Sequence, residues 1–88
     1  MYEIEISREA ERYYEHQDRK MKQRINRSIE VLRQDPLNGP RIKRLVGPLA
    51  GNYRYEVSGL RIVYEVDQGR RIVKIMAIGP RGDIYRRR

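Results

Sequence analysis

The stretch Tyr53-Arg54-Tyr55-Glu56-Val57-Ser58-Gly59-Leu60-Arg61-Ile62-Val63-Tyr64-Glu65-Val66 decides the fold. Its residues alternate in character with period two, the pattern of a strand with one face on a core and the other toward water. Ser58-Gly59 breaks the alternation at its middle and reads as a two-residue hairpin turn. Such a turn fixes the register: Val57 faces Leu60, Glu56 faces Arg61, and Arg54 faces Val63. Directly opposed residues share a face. One face then carries Tyr53, Tyr55, Val57, Leu60, Ile62 and Tyr64 and is expected to pack on helices. The other displays Arg54, Glu56, Arg61 and Glu65.

Toward the N-terminus, Tyr2, Ile4 and Ile6 alternate with Glu3 and Glu5, a half-buried strand. Ser7 can cap a following helix, with Glu9 and Glu11 in its first turn, where acids favour the positive helix end. Ala10, Tyr13, Tyr14 and Gln17 keep helical spacing. Asp18 offers a second cap, and Met21, Ile25, Ser28, Ile29 and Leu32 form the next stripe. Pro36 disfavours helix at Asp35, so the second helix should stop near Gln34. Pro36, Gly39, Pro40, Gly47, Pro48 and Gly51 mark a loop in which Ile42 to Val46 can be extended. Beyond the hairpin, Asp67-Gln68-Gly69-Arg70 is a turn. Ile72 to Ile78 is a nearly continuous apolar strand, expected at the centre of the sheet. The expectation is an α+β fold in the order β-α-α-β-β-β, a small antiparallel sheet with a helical hairpin on one face. At 88 residues it reads as one domain, 1–88.

Lys and Arg number 20 against 12 Asp and Glu, a formal net charge of +8. So strong an excess in a short chain points to a polyanion or an acidic partner. Sixteen of the cations are arginine, whose planar fork suits phosphate better than the point charge of lysine. With no cysteine and one histidine, a disulfide scaffold, a thiolate zinc site and a cysteine nucleophile are excluded. His16 reads as a surface residue, and no carboxylate cluster suggests magnesium, so neither cofactor nor metal is expected. The N-terminus lacks the pattern of a signal peptide and no apolar run approaches a membrane span. A soluble cytoplasmic protein is the expectation.

The polar face of the hairpin holds the candidate chemistry. Side chains two apart on a strand stand ~6.8 Å apart, so Arg54, Glu56 and Arg61 can converge on one small ligand. One reading of Glu56 and Arg61 is a cross-strand ion pair on a solvated surface, which contributes about 0–1 kcal/mol. The other is a phosphate cradle on an open sheet face. Arg81, just past the last strand, could reach the same face. Several guanidiniums around one phosphodiester would offset the charge of a pentacovalent transition state. Tyr2, Tyr13, Tyr14, Tyr53, Tyr55 and Tyr64 fall at core-facing spacings. Tyr85 stands in a polar tail, ahead of the basic run Arg86-Arg87-Arg88, which could add salt-dependent contacts to a polyanion.

Three segments resemble the RelE-family toxins of the RelE/ParE superfamily. They are Leu45-Val46-Gly47-Pro48-Leu49-Ala50-Gly51-Asn52-Tyr53-Arg54-Tyr55-Glu56-Val57, then Gly59-Leu60-Arg61-Ile62-Val63-Tyr64-Glu65-Val66, then Ile78-Gly79-Pro80-Arg81-Gly82-Asp83-Ile84-Tyr85. Length and element order match too, so the resemblance covers the whole chain. It implies a RelE-like fold and an mRNA interferase: a ribosome-dependent, metal-independent endoribonuclease that enters the A site. There the 2′-hydroxyl of the message attacks the adjacent phosphate and leaves a 2′,3′-cyclic phosphate. It also implies a cognate RelB-like antitoxin through which the complex binds operator DNA. By position, Arg54, Arg61 and Arg81 match the basic residues of the family site, and Tyr85 matches a tyrosine that stacks on a base. Glu56 departs from the pattern: some members carry a lysine there as a proposed general base. A carboxylate can repel phosphate, or take up the 2′-hydroxyl proton itself. Two other readings stay open. One is a ParE-like toxin that inhibits DNA gyrase without cutting RNA. The other is a degenerate homologue that only binds nucleic acid or antitoxin.

Overall fold

Ser58 and Gly59 both have positive φ, 45° and 79°, the backbone that the tightest hairpin turns require. The turn joins β3 (Asn52–Val57) to β4 (Leu60–Asp67). Val57 pairs with Leu60, Glu56 with Arg61 and Arg54 with Val63, the register that the two-residue turn dictates. A computed structural model describes residues 1–49 and 51–80. Around this hairpin run β1 (Glu3–Ile6), α1 (Arg8–Glu15), α2 (Arg19–Gln34), β2 (Ile42–Arg44) and β5 (Ile72–Pro80), with a short 3₁₀ turn at Gly47–Leu49. No helix among the described residues is long and apolar enough to cross a membrane.

The five strands lie in the order β1-β5-β4-β3-β2. The segment 42–44 is a strand of its own, antiparallel to β3, with Lys43 opposite Arg54. β1 lies parallel to β5, Glu3 opposite Ile72 through Ile6 opposite Ile75. The sheet is therefore mixed, an antiparallel meander with a parallel edge. A parallel neighbour needs a long crossover, and here the two helices and the meander supply it. The centre of the sheet is β4, not β5. β5 nonetheless has neighbours on both sides, which explains its apolar run.

Parity along β5 changes at a bulge. Tyr64 pairs with Ile75 and Val63 with Ala77, leaving Met76 unopposed. Val73 and Ile75 face the core before it, and Ile78 faces the core after it. Ser7 fastens this bulge. Its Oγ donates to the Met76 carbonyl at 2.7 Å and accepts from the Ala10 amide at 3.1 Å. Helix α1 is thus capped by the group that holds it to β5. Asp18 caps α2 in the same way, accepting from Met21 N–H at 2.9 Å, and α2 stops at Gln34 before Pro36.

The core lies between the helices and one face of the sheet. Ile25, Ile29 and Leu32 of α2 and Ala10 of α1 meet Tyr55, Leu60, Ile62, Tyr64, Val73, Ile75 and Ile78. Tyr2 is buried here too, and Tyr13, Tyr14 and Tyr53 pack partly buried against the cluster. Tyr64 is fully buried, stacks on Tyr53 at 5.7 Å between ring centroids, and donates its hydroxyl to the Pro36 carbonyl at 2.7 Å. Burial, chiefly, pushes this phenol above the ordinary tyrosine range. His16 is exposed at the end of α1, its Nδ1 2.8 Å from the Arg12 carbonyl.

Candidate functional site

With the helices on one face of the sheet, the opposite face shows what the hairpin register sends there. Arg54 and Arg61 come from neighbouring strands, and Glu56 stands directly across from Arg61. Glu56 Oε2 accepts from Arg61 Nη2 at 3.4 Å, and its Oε1 lies 3.7 Å from Arg54 Nε. The carboxylate therefore sits between two guanidiniums and holds them on one patch. The side chains of Arg54, Glu56 and Arg61 are 20%, 25% and 12% exposed. A pair this sheltered is screened less than an open surface pair. It is more than a solvated ornament of the sheet.

A third and a fourth cation join from β2 and the residue just before it. Lys43 is the register partner of Arg54, and the Arg41 carbonyl accepts from Glu56 N–H at 3.1 Å. Pro40, Arg41, Lys43, Arg54 and Glu56 line an open depression of about 170 Å³. Sequence reasoning did not single out Lys43 or Arg41. Their signal lay in the alternation of Ile42 with its basic neighbours, which has meaning only once that segment pairs with β3. The same face has an apolar floor: Val63 and Ala77 are partners in register, as are Arg61 and Gly79.

The strand β5 ends at Pro80, opposite Leu60 at the hairpin tip, one position beyond the Arg61–Gly79 pair. The end of β5 thus lies beside Arg61. Arg81, Tyr85 and the basic run 86–88, all expected to add to the site, lie outside the described residues. Of the five residues expected there, the structure brings together Arg54, Glu56 and Arg61. Among the described residues no group of three or more His, Cys, Asp or Glu side chains could hold a metal ion. The patch can do what fixed guanidiniums do. It can bind a phosphodiester through charge-assisted hydrogen bonds and stabilise added negative charge on it.

No curated protein matches the chain. Solved structures do. A chain of the RelBE2 toxin–antitoxin complex of Mycobacterium tuberculosis superposes with a TM-score of 0.79 at 21% identity, covering 91% of this chain and 98% of that one. A chain of the archaeal RelE–RelB complex of Pyrococcus horikoshii gives 0.76 at 23% identity, covering 92% and 96%. A chain of the YoeB–YefM toxin–antitoxin complex of Staphylococcus aureus gives 0.72 at 26% identity, covering 88% and 93%. The fold is thus RelE-like. The family model described as the ParE toxin of type II toxin–antitoxin systems, parDE, matches residues 4–85. Nearly the whole chain, sheet face included, falls inside that match, and the protein belongs to this toxin family of the RelE/ParE superfamily.

Proposed function

We propose that this toxin is a metal-independent endoribonuclease that cuts messenger RNA on the ribosome. The observation that carries the reading is the convergence of Arg54 and Arg61 on Glu56, on the sheet face away from the helices. In the proposed reaction the 2′-oxygen attacks the adjacent phosphorus in line and the bond to the 5′-oxygen breaks. The products are a 2′,3′-cyclic phosphate and a 5′-hydroxyl, the proton shed by the 2′-hydroxyl to water balancing the one that the leaving oxygen takes up. Negative charge builds on the phosphoryl oxygens, where preorganised guanidiniums act. Arg81 is assigned to the same phosphate and Tyr85 to stacking on a base, both on the family resemblance. Both oxygens of Glu56 face guanidinium nitrogens, which supports a positioning and charge-setting role over that of proton acceptor.

The ribosome as partner and the cytoplasm as compartment are assigned on the family resemblance. A RelB-like antitoxin is the second proposed partner. The three solved relatives are chains of toxin–antitoxin complexes, and a net charge of +8 calls for an acidic segment over the basic face. Operator binding would then run through the antitoxin. A second reading is favoured by the family description, which names ParE: a gyrase inhibitor that cuts no RNA. Mapping message ends by primer extension after brief induction tests the first reading. New ends in translated message support it. Intact message with altered DNA supercoiling supports the second.

A further inference from the structure

The first turn of helix α2 is cationic. α1 has Glu9 and Glu11 in its first turn, whereas the first turn of α2 has no acid and holds Arg19, Lys20 and Lys22. Cations there oppose the positive end of the helix dipole, so they cost stability that a merely solvated face need not give up. Lys20, Arg24 and Arg27 follow one another at i, i+4 and i+7, a single row along the helix. That row lies away from Ile25, Ile29 and Leu32, which are buried. Among the described residues no carboxylate lies within ion-pair distance of Arg19, Lys20, Arg24 or Arg27. Only further along does the helix become mixed in charge, where Arg33 Nε meets Glu30 Oε1 at 3.2 Å.

The position of the row matters as much as its sign. Arg24 Nη2 donates to the Ser58 carbonyl at 2.8 Å. This fastens the row to the β3–β4 turn, two residue pairs from Glu56 and Arg61. The row lies on the helix side of the sheet and the guanidinium patch on the other, with the hairpin tip between them. Resting on the nuclease reading above, we propose that Lys20, Arg24 and Arg27 form a second RNA contact. It is a ridge for the phosphate backbone that continues the binding surface around the hairpin tip. Evenly spaced cations with glutamine between them suit a backbone of repeating charge. Val31, one turn beyond Arg27, is an exposed apolar residue on the same line; an acidic protein segment would dock across it as well, and a loss confined to antitoxin binding is the outcome that would show this.

The test is the salt dependence of RNA binding, which counts phosphate contacts independently of cleavage. The probes are 2′-O-methyl oligonucleotides, which cannot be cut, as a single strand and as an A-form hairpin. Each lost contact lowers the slope of log K against log salt by about 0.7 on a single strand. Lys20→Gln/Arg24→Gln/Arg27→Gln should lower it by about 2. Lys20→Gln/Arg27→Gln, which keeps the Arg24 anchor and hence the fold, should lower it by about 1.4. Arg8→Gln/Arg12→Gln on α1 removes equal charge elsewhere and should leave the slope unchanged. A drop on either probe supports the ridge and tells which form of RNA it takes. An unchanged slope, an equal drop in the α1 variant, or a loss confined to antitoxin binding overturns it. Failure of the nuclease reading shows separately, as wild-type protein that binds both probes but creates no message ends.

Discussion

Arg61 is the residue on which the proposed chemistry leans most. It is more sheltered than Arg54 and is hydrogen-bonded to Glu56. Arg61→Ala is expected to lower cleavage by roughly 10²–10³-fold, the usual loss of one transition-state donor, with the melting temperature little changed. Arg61→Lys keeps the charge but not the fork and should recover only part of that loss. Glu56→Gln separates the two roles of the carboxylate. A positioning residue should leave cleavage within about tenfold and tighten RNA binding, whereas loss of an obligatory base would cost about 10²–10⁴-fold. Arg54, Glu56 and Arg61 were legible in the sequence because a local turn sets their register. Lys43 was not, because its place depends on pairing between segments separated by a proline- and glycine-rich loop.

At the scale of elements, Ser7 and Tyr64 carry connections that the chain cannot replace locally. Ser7→Ala removes both the cap of α1 and the bond to the Met76 bulge. The expected cost is about 1–2 kcal/mol, read as a lower melting temperature by several degrees. Tyr64→Phe leaves the buried Pro36 carbonyl without its donor and should cost about 1–3 kcal/mol. Tyr64 also sets an alkaline limit. Its phenol is raised in the folded state, so its contribution is complete below the unfolded tyrosine range near pH ~10. That contribution is lost as pH climbs above this range. Denaturant midpoints measured across alkaline pH should fall in the wild type and fall less steeply in Tyr64→Phe. The caps and the end of α2 were readable from Ser7, Asp18 and Pro36. The bulge was hidden because Ile72 to Ile78 is apolar on both parities. The parallel placement of β1 was hidden because nothing local to Tyr2–Ile6 specifies its neighbour.

At the scale of the whole molecule, two groups of cations stand out among the described residues. The sheet face gathers Arg41, Lys43, Arg54 and Arg61 around one carboxylate, and α2 sets a cationic row beyond the hairpin tip. A composition of +8 announced a polyanion but not where it lies, since that required the topology to bring β2 against β3 and α2 against the turn. The proposed contact with RNA predicts strong weakening of binding with salt. The most direct measurement is a ribosome-programmed cleavage reaction in EDTA, read by primer extension, comparing wild type with Arg61→Ala at equal protein stability. New ends within translated codons in the wild type, undiminished by the chelator and reduced at least ~10²-fold in the variant, are the predicted result. Equal cleavage by both proteins, or none by the wild type, would contradict a guanidinium patch that works on the phosphodiester.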